Sequence, residues 1–161
     1  MQIVINSSPL IFLAKLSYLG QFLDYPDNFY VPQSVADEIS AKLDPASQMV
    51  QTFLDSGVLQ VHVVALSNLA QSLNRRLGRG ESDAIALGIQ LNADYVLLDD
   101  LAVRKEAIRL GLAIKGTLAA IHKMNRDRKI IVDDLDDLYV RCIEINFRIK
   151  RSIFNQIFMD K

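Results

Sequence analysis

The stretch Asp94-Tyr95-Val96-Leu97-Leu98-Asp99-Asp100 constrains the fold more than any other part of the sequence. Consecutive side chains of a strand point to opposite faces, so this unbroken apolar run leaves neither face to water. Such a strand belongs at the centre of a parallel sheet covered by helices on both sides. The rest of the chain supplies both kinds of element. Short strands are expected at Ile3-Val4-Ile5, Phe29-Tyr30-Val31, Leu59 to Val64 and Leu112-Ala113-Ile114. Helices are expected after Ser7-Ser8-Pro9, where Ser caps and Pro is tolerated in the first turn, and over Val35, Ile39 and Leu43, which recur every four residues as one stripe. Asp44-Pro45 breaks that helix before another carrying Met49, Val50 and Phe53. Further helices are expected over 65–77, 81–91 (buried nearly all round) and 101–110, after Gly116-Thr117, and once or twice between Asp133 and Met159. Alternating strands and helices imply an α/β/α three-layer fold with a central parallel sheet.

With 161 residues, half of them apolar, the chain is read as one domain over residues 1–161, with helices from about 131 packing on it. Eighteen Lys and Arg against nineteen Asp and Glu leave a formal charge of -1, which excludes a uniformly basic nucleic-acid binder but not a local basic patch. The single cysteine, Cys142, excludes a disulfide framework and a four-cysteine zinc site, and reads as a buried inert thiol. No signal-peptide pattern opens the sequence and no apolar run is long enough for a membrane span, so the expected place is the cytoplasm.

The positions of certain carboxylates carry the functional information. Asp99 and Asp100 follow the strongest strand, and Asn6 follows the first. Ligands of open α/β sheets bind beyond the carboxyl ends of the strands. Glu81 sits in the first turn of the buried helix, and Glu38 lies at the edge of an apolar helical stripe; neither has an obvious local basic partner. Each acid also has a plain structural reading. Asp100 can cap the next helix and pair with Arg104, and Glu81 can answer its helix dipole. Together, acidic and amide oxygens from distant segments are what a hard cation, Mg²⁺ or Mn²⁺, requires.

Ile3-Val4-Ile5-Asn6-Ser7-Ser8-Pro9-Leu10-Ile11, Val31-Pro32 with Glu38, Gly80-Glu81-x-x-Ala84-Ile85, Leu97-Leu98-Asp99-Asp100-x-x-x-Arg104 and Gly116-Thr117-Leu118 resemble, in order and spacing, the PIN-domain nucleases. The nearest likeness is to a poorly characterised prokaryotic subfamily often found beside toxin–antitoxin genes, and it runs from residue 3 to about 125. It implies an acidic cluster that binds one or two divalent metals and cleaves RNA, leaving a 5′-phosphate and a 3′-hydroxyl. Asn6 stands where the family has its first aspartate, Glu38 matches the glutamate after the second strand, and Glu81 the third acid, with Asp83 a lesser claimant. Asp100 and Asp99 supply the fourth. Asn6, Glu81, Asp99 and Asp100 are thereby the implied metal ligands, with Glu38 acting through water or orienting the nucleophile. Ser7, Arg79, Arg104 and Thr117 fall on the substrate side. The departure is Asn6, whose amide oxygen can ligate Mg²⁺ but brings no charge and cannot act as a base. The likeness also implies a homodimer and a small antitoxin as partners.

Other features carry less. Asp133, Asp134, Asp136 and Asp137 lack the glycine and terminal glutamate of a calcium loop and read as the charged start of a helix. Gly78-Arg79-Gly80 lacks the leading strand and third glycine of a dinucleotide fingerprint. His62 and His122 are isolated. Basic residues form three groups: Arg75, Arg76 and Arg79; Lys123, Arg126, Arg128 and Lys129; and Arg148, Lys150 and Arg151. They read first as solvated helix faces; in the functional reading the first group borders the acidic pocket and holds RNA phosphates. In the tail, Ile145, Phe147, Ile149, Ile153, Phe154, Ile157 and Phe158 either cover the core or make a dimer surface. The leading reading is a metal-dependent ribonuclease; the alternative is a PIN-fold protein that binds RNA or protein with little or no catalysis.

Overall fold

A computed structural model describes residues 1–159. Five parallel strands, β1 (Gln2–Ile5), β2 (Asn28–Pro32), β3 (Leu59–His62), β4 (Tyr95–Leu97) and β5 (Ile114–Lys115), form one sheet in the order β3-β2-β1-β4-β5. The chain builds outward from β1 through β2 to β3, then crosses to the other side for β4 and β5. The strand order therefore reverses between β1 and β4, and the crevice beyond their carboxyl ends is where open sheets of this kind bind ligands.

The strands alternate faces as their period of two requires. Ile3 and Ile5, paired with Tyr95 and Leu97, belong to one core together with Leu10, Leu13, Phe22, Ile121 and Phe154. Val4 and Val96 belong to the other, with Leu73, Ile85 and Val103. The first core is covered by α1 (Ser7–Lys15), α2 (Leu19–Leu23), α3 (Gln33–Ser40), α4 (Pro45–Asp55), α8 (Thr117–Arg126), α9 (Leu135–Glu144) and α10 (Arg151–Met159), and the second by α5 (Ser67–Asn74), α6 (Arg79–Gln90) and α7 (Leu101–Arg109). These layers make the expected α/β/α sandwich. Helix α6 lies so close to β4 that a Cβ on Gly88 would stand 2.6 Å from Val96 Cγ2. That approach seats the last turns of α6 directly on β4.

The C-terminal helices close one side. Phe154 is fully buried, Phe147 nearly so, and Ile145, Ile149, Ile157 and Phe158 pack on the same core. Arg141 donates to the Leu16 carbonyl (2.8 Å) and the Tyr139 hydroxyl to that of Ile149 (3.0 Å). Covering the core is thus what most of the apolar tail does, with Ile153 left 47% exposed. Asp134 accepts from the amides of Asp136 and Asp137 at the start of α9, so this acidic run is a helix start as read. Cys142 is buried, and desolvation pushes its thiol pKa up to about 11, which leaves it inert. No helix among the described residues is long and apolar enough to cross a membrane.

Several local expectations fail. Leu43 does not extend the Val35–Ile39 stripe: α3 ends at Ser40 and Leu43 is 83% exposed. The sequence reading has no counterpart for α2, a five-residue turn entered through Ser17 in the left-handed region (φ 63°). The last strand sits later than expected, because Gly111 (φ 88°) and the Leu112 amide, bonded to the Ala107 carbonyl at 3.1 Å, still belong to the end of α7. Helix α6 starts at Arg79, two residues before the expected Glu81, with Gly78 as its N-cap.

Candidate functional site

Three structural devices bring distant residues to the crevice between β1 and β4. Asn6 leaves β1 as the N-cap of α1, its amide N–H still bonded to the Leu97 carbonyl of β4 at 3.2 Å. Its side chain makes no capping bond, and Asn6 Oδ1 is enclosed without a hydrogen-bond partner although the residue is only 5% exposed. An unpartnered buried acceptor costs about 1–3 kcal/mol and calls for an explanation.

Asp99 and Asp100 follow β4 and bond to the starts of two different helices. Asp100 is the N-cap of α7, where Oδ1 accepts the Val103 amide at 3.0 Å. Asp99 reaches across to α8: Oδ1 accepts the Thr117 amide at 2.8 Å and Oδ2 the Thr117 hydroxyl at 2.6 Å. Arg104 Nη1 and Asp99 Oδ1 lie 3.3 and 3.2 Å from where a Cβ on Gly116 would stand, so a side chain there would push both aside by a few tenths of an ångström. Burial raises the Asp99 carboxyl above its ordinary pKa, opposed by the two Thr117 bonds and the Arg104 charge. Arg104 forms no ion pair with Asp100, contrary to the pairing weighed from the sequence, because Asp100 is turned into its own cap.

Glu81 closes the third side. As the third residue of α6 it reaches back so that Oε2 accepts the Gly78 amide at 3.0 Å. Glu38, on α3, accepts the Ser7 hydroxyl at 3.2 Å and has a local basic partner after all in Lys42, at 3.6 Å. Glu38 Oε2 and Asn6 Oδ1 approach the same side of Gly80, at 3.4 and 3.7 Å from a Cβ built there.

Asn6, Glu81, Asp99, Asp100 and Arg104 line one cleft of about 650 Å³. The same cleft is also lined by Phe12, Leu118 and the C-terminal segment, where Phe147, Ile149 and Ile153 are interleaved with Arg148 and Lys150. The acids therefore share the cleft with cations, but not with those of the first basic group. Arg76 is paired with Glu106 at 3.0 Å, and Arg79 lies in a separate groove, 3.9 Å from Asp83. Sequence reasoning did not assign Arg148 and Lys150 to the site, since only the return of α10 onto α8 brings them there. Glu38, Ser7 and Thr117 stand behind the lining and hold Asn6's neighbourhood and Asp99 in place. His62 and His122 stay outside it, packed edge-on against Tyr30 and Phe158.

A family model described as a PIN domain matches residues 2–160. The chain is a member of the PIN-domain family. The match reaches beyond residue 125 and takes the C-terminal wall of the cleft into the PIN domain. No curated protein matches it.

The donor set of this PIN domain can be tested against a divalent cation. Among the described residues no three His, Cys, Asp or Glu side chains gather closely enough to form a ready metal cluster. The available donors are nevertheless all hard oxygens. Asn6 Oδ1 is unpartnered, and one oxygen each of Glu81 and Asp100 has no hydrogen bond from the protein. Mg²⁺ retains several waters and commonly takes only one or two carboxylates. The residues fit a hydrated hard cation.

Proposed function

We propose that this PIN domain is a Mg²⁺- or Mn²⁺-dependent ribonuclease of the toxin type, acting as one domain and hydrolysing a phosphodiester of single-stranded RNA. The observation that carries the reading is Asn6 Oδ1, a buried acceptor left unpartnered among Glu81, Asp99 and Asp100 at the point where the strand order reverses. Asn6, Glu81, Asp99 and Asp100 would hold the cation. Bound there, it would lower the pKa of a water and stabilise charge on the scissile phosphate.

The chain's own residues do the rest. Asn6 supplies a neutral oxygen, so the site carries less negative charge than an all-aspartate one and binds its cation more weakly. Thr117 fixes the Asp99 carboxylate through two hydrogen bonds and keeps its orientation while Arg104 balances its charge. Glu38, held by Ser7 and Lys42 behind Gly80, would act through a water on the cation or orient the nucleophile. Arg104, Arg148 and Lys150 offer positive charge to the RNA backbone. A homodimer and a small antitoxin protein are the partners that belong to this reading, and the cytoplasm its place.

One observation favours the second reading, a PIN fold that binds RNA or protein with little turnover: each lining acid already serves a helix start, and no three stand as a cluster. The two readings separate in one experiment. A labelled RNA pool is incubated with Mn²⁺, Mg²⁺ or EDTA, using wild type and the Asp99→Asn/Asp100→Asn double variant. Cleavage that needs the metal and disappears in the double variant is expected. No cleavage by folded wild-type protein, or cleavage unchanged in the double variant, overturns the nuclease reading.

A further inference from the structure

A second groove, of about 490 Å³, opens on the same carboxyl edge of the sheet, on the other flank of α6. The first turn of α6 separates the two hollows: Glu81 lines the cleft and Arg79, two residues earlier, lines the groove. The chemistry of the groove differs sharply from that of the cleft. Its walls are apolar where Val63, Val64 and Ala70 contribute, and its remaining lining is dominated by neutral polar groups. Gln71 and Asn74 are spaced to share one face of α5, and among the described residues neither amide has a hydrogen-bond partner. Ser34 Oγ is enclosed at the same groove without a partner. Its charged lining residues, Arg79 and Asp83, face each other at 3.9 Å, with Arg79 80% exposed at the rim.

A nearly neutral hollow with apolar walls and unused amides suits neither a phosphate nor a divalent cation. It suits a flat, neutral ligand whose edge carries both donors and acceptors. Single-stranded RNA presents such an edge on every splayed-out base, and side-chain amides, with two donors and an acceptor each, are a common means of reading it. We infer that this groove is a nucleobase subsite, taking one unpaired base of an RNA strand whose backbone crosses the first turn of α6. Arg79 then contacts the backbone at the crossing, and the groove selects which nucleotide lies next to the phosphate held in the cleft. The inference rests on the nuclease reading for the identity of the strand.

The test uses the full chain in EDTA, with fluorescently labelled homopolymeric RNA octamers of A, C and U read by anisotropy, for wild type, Gln71→Ala/Asn74→Ala and Asn74→Asp. Wild type is expected to bind one homopolymer about tenfold more tightly than the weakest, the discrimination of one good base contact. Both variants lose that preference and bind every octamer like the weakest, with unchanged melting because both side chains are exposed. Equal binding of all octamers by wild type, no binding, or a preference that survives in both variants overturns the subsite. Sequencing of cleavage sites in Mn²⁺ separates this inference from the one beneath it. Metal-dependent cleavage with no base preference beside the cut sinks the subsite and leaves the nuclease standing. Base-selective binding lost in the variants, without metal-dependent cleavage, does the reverse.

Discussion

Replacing Asn6 by aspartate puts a charge where the protein now holds a buried, unpartnered amide oxygen. The side chain is 5% exposed and makes no capping bond to α1. Glu38 Oε2 approaches the same side of Gly80, and Glu81, Asp99 and Asp100 share the cleft with Arg104, Arg148 and Lys150, so the charge a new carboxylate meets beside Gly80 is of like sign. An uncompensated buried charge costs about 3–5 kcal/mol. The N-terminus of α1 returns roughly 0.3–1 kcal/mol of this, leaving a net loss of about 3 kcal/mol. For a chain of this length a loss of 1 kcal/mol lowers Tm by roughly 2–4 °C, so Asn6→Asp should melt about 6–12 °C below wild type in EDTA.

Two further readouts bind that loss to its cause. Burial raises the folded-state pKa of the new carboxyl above its unfolded value, so the penalty is present when the group is ionised and fades as pH falls through the raised pKa. The deficit should therefore shrink on mild acidification. A divalent cation at a hundredfold excess over its dissociation constant stabilises by about 2.7 kcal/mol, enough to cancel most of the deficit. Circular-dichroism melts in EDTA and in Mn²⁺, at neutral and mildly acidic pH, measure all three effects. A variant that melts within about 2 °C of wild type in EDTA and ignores Mn²⁺ would refute the placement of position 6 as a buried ligand facing the acids.

Other consequences can be checked in the same preparations. Because burial raises the Asp99 pKa in the fold, its ionisation costs stability, so wild type should gain stability as pH falls through that raised value. Asp99→Asn should lose that component of the pH dependence, melt no lower than wild type at neutral pH, and lose cleavage; a strongly destabilised Asn variant would show that the charge, not the Thr117 bonds, holds the turn. Arg148→Ala/Lys150→Ala removes two cations from the cleft wall, and the dependence of log affinity for single-stranded RNA on log salt should become shallower by about 1.4. An unchanged slope would place the RNA elsewhere.

The layers of the fold were legible because the strands bury both faces: Tyr95-Val96-Leu97 and Ile3-Val4-Ile5 have no polar alternation, and both lie inside the sheet. The candidate residues Asn6, Asp99 and Asp100 were legible for a related reason, since a residue just past such a strand must sit at the sheet's carboxyl edge. The direction in which side chains leave a helix start was not legible. Arg79 and Glu81 are two residues apart, and which flank each faces depends on α6 starting at Arg79, which the Glu81 bond to the Gly78 amide fixes. Nor could the sequence place Arg148 and Lys150. Their position follows from Phe154 burying itself in the first core, a contact between segments remote in the chain. Leu43 misled because a four-residue spacing continues past Ser40 by chance, while the backbone has already left the helix.

Capping and ligation were rival readings of Asp100 in the sequence, and the geometry makes them compatible. A carboxylate has two oxygens and about four acceptor positions. At Asp100, which lines the cleft, the Val103 amide takes one oxygen and leaves the other without a protein donor. The cap also fixes the side chain, so the free oxygen is held in place before any ligand arrives, as a preorganised site requires. Serine at this position separates the two roles. Serine caps about as well as aspartate, whereas alanine forfeits about 1 kcal/mol. Asp100→Ser should therefore melt with wild type, while Asp100→Ala melts roughly 2–4 °C lower. Neither variant keeps the free carboxylate oxygen, so both should lose metal-dependent cleavage. If Asp100→Ser cleaves like wild type, the carboxylate is a cap and nothing more, and the metal reading must stand on Asn6, Glu81 and Asp99 without it.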